Sequence, residues 1–330
     1  MKINSVIACT AVLGALMSLT LLTSCAAIAQ PANYPSRPVR LVVPFPPGGG
    51  TDIAARLVMP KFSENLGQPI VIDNRGGANG VIGTDIVAKS QADGYTVLAG
   101  GIGTLAINFA MYSNIPYDPV RDFATVTQIA AVPNMLVVHP SLAANSVKEL
   151  IALVKSKPGQ FNFSTPGAGS SDHLSMELFK LRAGLSIVHV PYKGFGPTLP
   201  DLLGGKVQLT FANLPTVLPQ TQAGKLRPLA VTSRARAVSA PAVPTMIEAG
   251  MADFDVTSWF GLAVPAATAK PIITTLHRAA VKSMTPELRE RLVANGFDPM
   301  ATSPDEFGVH VRTEVARWAK VVKASGAKVE

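Results

Sequence analysis

Three stretches carry the residues whose types and spacing could do chemistry. In VRLVVPFPPGGGTDIAARL (39–57) an apolar run stops at Pro46 and Pro47, crosses three glycines, and resumes at helical spacing with Ile53, Ala54, Leu57 and Val58. YTVLAGGIGTLAIN (95–108) and FNFSTPGAGSSDHLSMELF (161–179) repeat the plan of strand, glycine loop and helix start. Proline cannot donate to a sheet ladder, so pairing ends at the loop. Thr51 or Asp52 caps the first helix, and Ser170 and Ser171 are caps or ligand donors. A helix that opens on a glycine loop points unpaired N–H groups and the positive end of its dipole outward, which is where anions bind.

Catalytic readings of the same residues fail. Gly101-Ile102-Gly103-Thr104-Leu105-Ala106 fits G-x-G-x-x-A, but no acidic residue follows at the end of a second strand as dinucleotide binding requires. There is no P-loop motif. Ser170, Ser171, Asp172 and His173 are neighbours on one helix start, whereas a triad is assembled from distant elements, and G-x-S-x-G is absent. His173 reads as a packed helix residue. His139, His189, His277 and His310 lack metal-ligand spacing, and Asp118 and Asp122 read as turn and cap residues. The expectation is a binding protein, not an enzyme, with no catalytic residue, metal or cofactor.

The leader MKINSVIACTAVLGALMSLTLLTSCAAIAQ has one Lys, an apolar run and small residues before a polar start, which describes a secretory signal at 1–29. Two ends stay open. Cleavage after Ala29 gives a soluble periplasmic protein, and a lipobox-like Leu22-Thr23-Ser24-Cys25 gives one lipid-anchored through Cys25. Both cysteines, Cys9 and Cys25, lie in this leader, so the mature chain is held by its core and not by disulfides. The net charge is +8 over 330 residues with 6% aromatic residues, and no basic stripe interleaved with aromatics occurs. Nucleic acid is therefore not an expected partner.

The elements that must position these loops alternate along the chain. PIVIDN (69–74), MLVVHP (135–140), SIVHVPY, VQLTFAN and LRPLAVTS are further short apolar runs, most leading into turn or helix chemistry. Ser146 and Glu149 form a capping box, Gly184 and Gly296 are helix stops, and Thr285-Pro286-Glu287 and Ser303-Pro304-Asp305-Glu306 are starts. Pro60 inside the first helical pattern predicts a kink. Such alternation implies an α/β fold, each lobe a mainly parallel sheet flanked by helices, with ligand loops at the strands' carboxyl ends. FGLAVPA (260–266) returns late as an isolated strand before a helical tail, which suggests a chain that crosses twice between two lobes.

The segments YPSRPVRLVVPFPPGGGTDIAARL, LGQPIVIDNRGGANGVIGTD, ADGYTVL, YDPVRDF, IVHVPYKG, DLLGGKVQLTFANLP, AGKLRPLAVTS, VPTMIEAG and SWFGLAVPA, in this order, resemble the Bug family. These are periplasmic receptors of tripartite tricarboxylate transporters. The resemblance runs from about Tyr34 to the C-terminus. It implies a two-lobed periplasmic-binding-protein (Venus-flytrap) fold that closes on a small carboxylate, which can be a carboxylic acid, a dicarboxylate or an amino acid. Lobe 1 is expected at 31–131 plus 250–330 and lobe 2 at 132–249, working as a monomer with a membrane permease. A periplasmic sensor docking on a membrane signalling protein is the alternative. Carried over by motif, the ligand residues are Phe45, Gly49, Gly50, Thr51 and Asp52 from the first loop. Gly101, Thr104 and Asn108 come from the third, and Ser164, Gly169, Ser170, Ser171 and Asn213 from lobe 2. The chain departs from the family pattern at Leu105 (often His), at Ala212 (often Asp) and in the lobe 2 loop PGAGSSDH, where many relatives have Thr near Ser170, and the resemblance implies that these positions face the cleft. Arg75 and Lys193 are read as structural or solvated.

Overall fold

Val39, Leu41, Val42 and Val43 are fully buried in β1 (Val39–Val43), as an unbroken apolar run demands. The computed structural model describes residues 34–325, so the leader and both of its alternative ends lie outside the described residues. Helix α1 (Gly50–Leu66) follows the first glycine loop, contains Pro60 and stops at Gly67, whose φ of 76° is left-handed. Then come β2 (Ile70–Asn74), α2 (Val81–Ala88) and β3 (Thr96–Gly101). A π-helical turn, Gly103–Ile107, runs into α3 (Asn108–Met111).

Next is β4 (Phe123–Val138), a 16-residue strand. After it stand α4 (Val147–Ser156), β5 (Asn162–Thr165), α5 (Ser171–Ala183), β6 (Val188–Pro191), α6 (Phe195–Leu203), β7 (Leu209–Asn213), α7 (Leu214–Gln222) and β8 (Arg227–Val231). The chain ends with β9 (Thr257–Pro265), α8 (Lys270–Ser283), α9 (Pro286–Ala294), β10 (Asp298–Pro299) and α10 (Pro304–Ser325). The expected caps form: Ser146 Oγ accepts from Glu149 N–H at 3.2 Å, and Ser303 and Glu306 bond each other reciprocally. Among the described residues no helix is long and apolar enough to cross a membrane.

The strand order is β2-β1-β3-β9-β4-β7-β5-β6, with β8 and β10 also paired to β4. The outer strands run parallel, β1 beside β2 and β3, and β5 beside β6 and β7. The sheet as a whole is mixed, because β9 and β4 run antiparallel to their neighbours. The reason is that β4 and β9 are the two passages between halves. From Phe123 to Pro133 β4 pairs with β9, and from Asn134 to Val138 it pairs with β7. On the return, Val256 N–H still bonds Thr232 O at 3.2 Å before Thr257 pairs with Pro133. The sequence pattern located only the second half of β4. Register shifts at 125–127 and 128–130 interrupt its period, and Pro133 demotes the run as a strand.

Candidate functional site

Seven segments from both halves of the sheet meet at one cavity, with ≈ 550 Å³ of space not filled by atoms, its open mouth included. The first half supplies Phe45, Gly49, Gly50, Thr51, Asn79, Gly101, Ile102 and Gly103, with Ser258 and Phe260 from β9. The second half supplies Pro166, Ser170, Ser171, Asp172, Phe195, Asn213 and Thr216. The helices α1, α5, α6 and α7 thus all begin at the cavity wall.

At α1 the first intrahelical bond runs from Ile53 N–H to Gly49 O at 3.0 Å, which leaves the amides of Gly50, Thr51 and Asp52 outside the helical ladder. The Thr51 hydroxyl has no hydrogen-bond partner among the described residues, and neither has that of Ser258. Both are free to donate into the cavity. Gly50 is required by a close approach between the halves, since a Cβ there would stand 2.5 Å from Asn213 Oδ1, and it also packs within its own half, where that Cβ would stand 3.0 Å from Phe260 Cζ. Asn213, the residue before α7, is itself held by donation from its Nδ2 to Asn134 Oδ1 at 2.6 Å, with Ser171 Oγ at 3.4 Å.

Ser170 caps α5, its Oγ accepting from His173 N–H at 3.2 Å, while Ser171 Oγ donates to Asp172 Oδ1 at 3.1 Å. Asp172 is the one acidic residue on the wall and only 3% exposed. Burial pushes its carboxyl up to about 7, against the lowering effect of the Ser171 hydrogen bond. Among the described residues no Lys, Arg or His lines the cavity. Behind α5, His173 and His189 stack with ring centroids 4.3 Å apart, and burial pulls both down to about 4. His173 Nδ1 accepts from Gly169 N–H at 3.2 Å, so a neutral ring holds the loop in front of it. His173 is thus buried and packed, with a second task of bracing the loop.

Of the residues singled out in the sequence, Phe45, Gly49, Gly50, Thr51, Gly101, Ser170, Ser171 and Asn213 meet at this cavity. Asp52, Thr104, Asn108, Ser164 and Gly169 do not line it, each for a visible reason. The Asp52 carboxylate accepts from Gly48 N–H, Arg56 and Asn74 at 2.9–3.0 Å. Burial pushes Asp52 up, but these hydrogen bonds outweigh it and leave the carboxyl below its ordinary value. Thr104 Oγ1 is taken up by the N–H and carbonyl of Gly101 at 3.1 and 3.2 Å, so it braces the loop in place of donating outward. Asn108 sits behind Asn79, and Ser164 is wholly buried. Gly169 packs against Asn108 and Asn79. Arg75 is paired with Asp73 at 2.9 Å, and neither it nor Lys193 lines the cavity.

Sequence reasoning missed Asn79, Asp172, Phe195, Ser258 and Phe260 as wall residues. Asn79 lies in RGGANG, a glycine loop whose signal was available: it adopts φ 49°, ψ 41°, a conformation asparagine tolerates better than most residues. Ser258 and Phe260 had no local signal, since they reach the site only because β9 returns between β3 and β4.

Comparison with known proteins gives consistent matches over most of the chain. The family model described as "Tripartite tricarboxylate transporter family receptor" matches residues 54–327. Protein BugT of Bordetella pertussis is 42% identical over 310 residues, covering 92% of this chain and 95% of that protein. R. palustris Rpa4515, solved with adipate, superposes with a TM-score of 0.88 at 42% identity, covering 90% of this chain and 100% of that one. MatC from Rhodopseudomonas palustris, solved with bound malate, gives 0.84 at 31% identity over 88% of this chain and 100% of that one.

Proposed function

Because the chain belongs to the receptor family of tripartite tricarboxylate transporters, a family of binding proteins and not enzymes, we propose that it captures a small carboxylate in the cavity between its halves. The observation that carries this reading is a wall of four helix starts and two free hydroxyls, with no basic side chain on it. Neutral donors of this kind suit an anion. One helix N-terminus supplies about 0.3–1 kcal/mol, and up to ~2 when partly buried. A micromolar ligand needs about 8 kcal/mol, so charge-assisted hydrogen bonds at roughly 1.5–3 kcal/mol each supply most of the affinity. The solved relatives with adipate and malate support the same ligand class.

In this proposal the lobes are 31–131 plus 250–330 and 132–249, hinged where β4 and β9 change partners. Ligand closes them, because contacts such as Gly50 to Asn213 exist only when the halves meet. The closed form docks, as a periplasmic monomer, on a tripartite-type permease. The experiment is a thermal-shift screen followed by small-angle scattering. Carboxylates raise the melting temperature, by about 2.7 kcal/mol of stability at 100 times the dissociation constant, and compact the particle. A neutral sugar that binds more tightly than every carboxylate tested overturns the reading.

A further inference from the structure

Resting on the carboxylate reading, we infer that Asp172 is the specificity-determining residue of the cavity and that the site fits a zwitterionic amino-carboxylate. The ligand's ammonium group lies against the Asp172 carboxylate, and its own carboxylate lies against the helix starts. Three observations carry this.

Asp172 is buried on the wall, and its carboxylate is met by the Ser171 hydroxyl at 3.1 Å and by its own backbone N–H, both neutral donors. Among the described residues no cation stands within ion-pair distance of it. A buried carboxylate without a countercharge is costly, and such charges are normally paired. Helix stabilisation alone does not require this placement, because an acid in the first turn gains the dipole term equally well from the solvent side.

A second acceptor on the same wall also lacks a donor. Asn79 Oδ1 is buried and accepts nothing. Its orientation is fixed by a chain of bonds: Asn108 Nδ2 donates to the Asn79 carbonyl at 3.0 Å, so Asn108 Oδ1 must accept from Asn79 Nδ2, at 2.9 Å. The cavity therefore offers donors at its helix starts and under-used acceptors at Asp172 and Asn79. An anion alone satisfies the first set and leaves the second unpaired.

The third observation is what the wall omits. With no Lys, Arg or His among the described residues lining it, an ionised Asp172 gives the wall they form a single formal charge, and that charge is negative. A simple dicarboxylate would add two like charges to it. An ammonium on the ligand cancels that charge in a region where like charges repel strongly.

The test compares wild type and Asp172→Asn by calorimetry and thermal shift with skeleton-matched pairs: glutamate and glutarate, leucine and 4-methylpentanoate, phenylalanine and 3-phenylpropanoate. In a pair that binds, the amino member is expected to bind about 10-fold or more tightly than its partner. Asp172→Asn should weaken that member by about 30-fold or more, as loss of a buried charge partner does, and leave the amino-free partner unchanged or tighter. Amino-free members that bind as well or better in every binding pair overturn this inference and leave the carboxylate reading standing. So does a variant that weakens both members equally. Failure of every compound in both forms removes the carboxylate reading and this inference with it. Should the variant not fold, the matched pairs on wild type still decide.

Discussion

Replacing Gly50 by Ala separates closure from folding. In this structure, which the proposal takes as the closed arrangement, the new methyl would stand 2.5 Å from Asn213 Oδ1 and 3.0 Å from Phe260 Cζ. Carbon and oxygen need about 3.5 Å, so the first contact asks for a shift of roughly 1 Å. Asn213 cannot swing away freely, because its Nδ2 is tied to Asn134 at 2.6 Å. Overpacking of a constrained contact costs about 1–3 kcal/mol, which is a roughly 5- to 150-fold loss of ligand affinity. Gly50 does not have positive φ and begins α1, so alanine fits its backbone and lowers the entropy of the unfolded chain. The 3.0 Å contact with Phe260 stays within the same half and offsets that gain, so the ligand-free protein should melt close to the wild-type temperature. Calorimetry with the best carboxylate from the screen, beside a melting curve of ligand-free protein, reads both quantities. A lower ligand-free melting temperature with unchanged affinity would refute the reasoning, because the contact would then exist in both states.

Thr51→Ala removes a hydroxyl free to donate into the cavity, and calorimetry should show affinity lowered by about 1–3 kcal/mol with little change in ligand-free stability. Ser170→Ala should instead cost stability, typically ~1 kcal/mol, since its Oγ already caps α5. Buried titrations oppose each other in the ligand-free protein. His173, whose folded value near 4 is below its unfolded 6.5, contributes stability present above pH 6.5 and lost as pH falls toward 4. Asp172, raised from 3.8 to about 7, does the reverse and destabilises as pH rises from 4 to 7. Melting temperature between pH 4 and 7 should thus rise more steeply with pH in Asp172→Asn than in wild type, and an unchanged slope counts against the burial of the Asp172 charge. Intact mass of exported protein will read either Gln30 at the N-terminus or a lipidated Cys25, and a retained Met1 would exclude both.

Local chemistry was legible where it is local. The glycine loops, the caps at Ser146, Ser170 and Ser303, and the stops at Gly184 and Gly296 follow from backbone geometry that only certain residues satisfy. The α/β alternation followed from hydrophobic period, and the family from the order of its motifs.

What the sequence could not decide is how strands far apart in it come together. The 16-residue β4 belongs to both halves, and β9 returns between β3 and β4 to bring Ser258 and Phe260 into the wall. Its partners lie over a hundred residues away, so no local pattern encodes that placement. Thr104 and Asp52 mark the same limit at the level of single side chains. By type each could have met a ligand, yet Gly101 takes up the hydroxyl of one, and Gly48, Arg56 and Asn74 take up the carboxylate of the other. A residue's chemistry is written in the sequence, but whether its hydrogen-bonding capacity is left free for a ligand depends on neighbours that only the tertiary structure supplies.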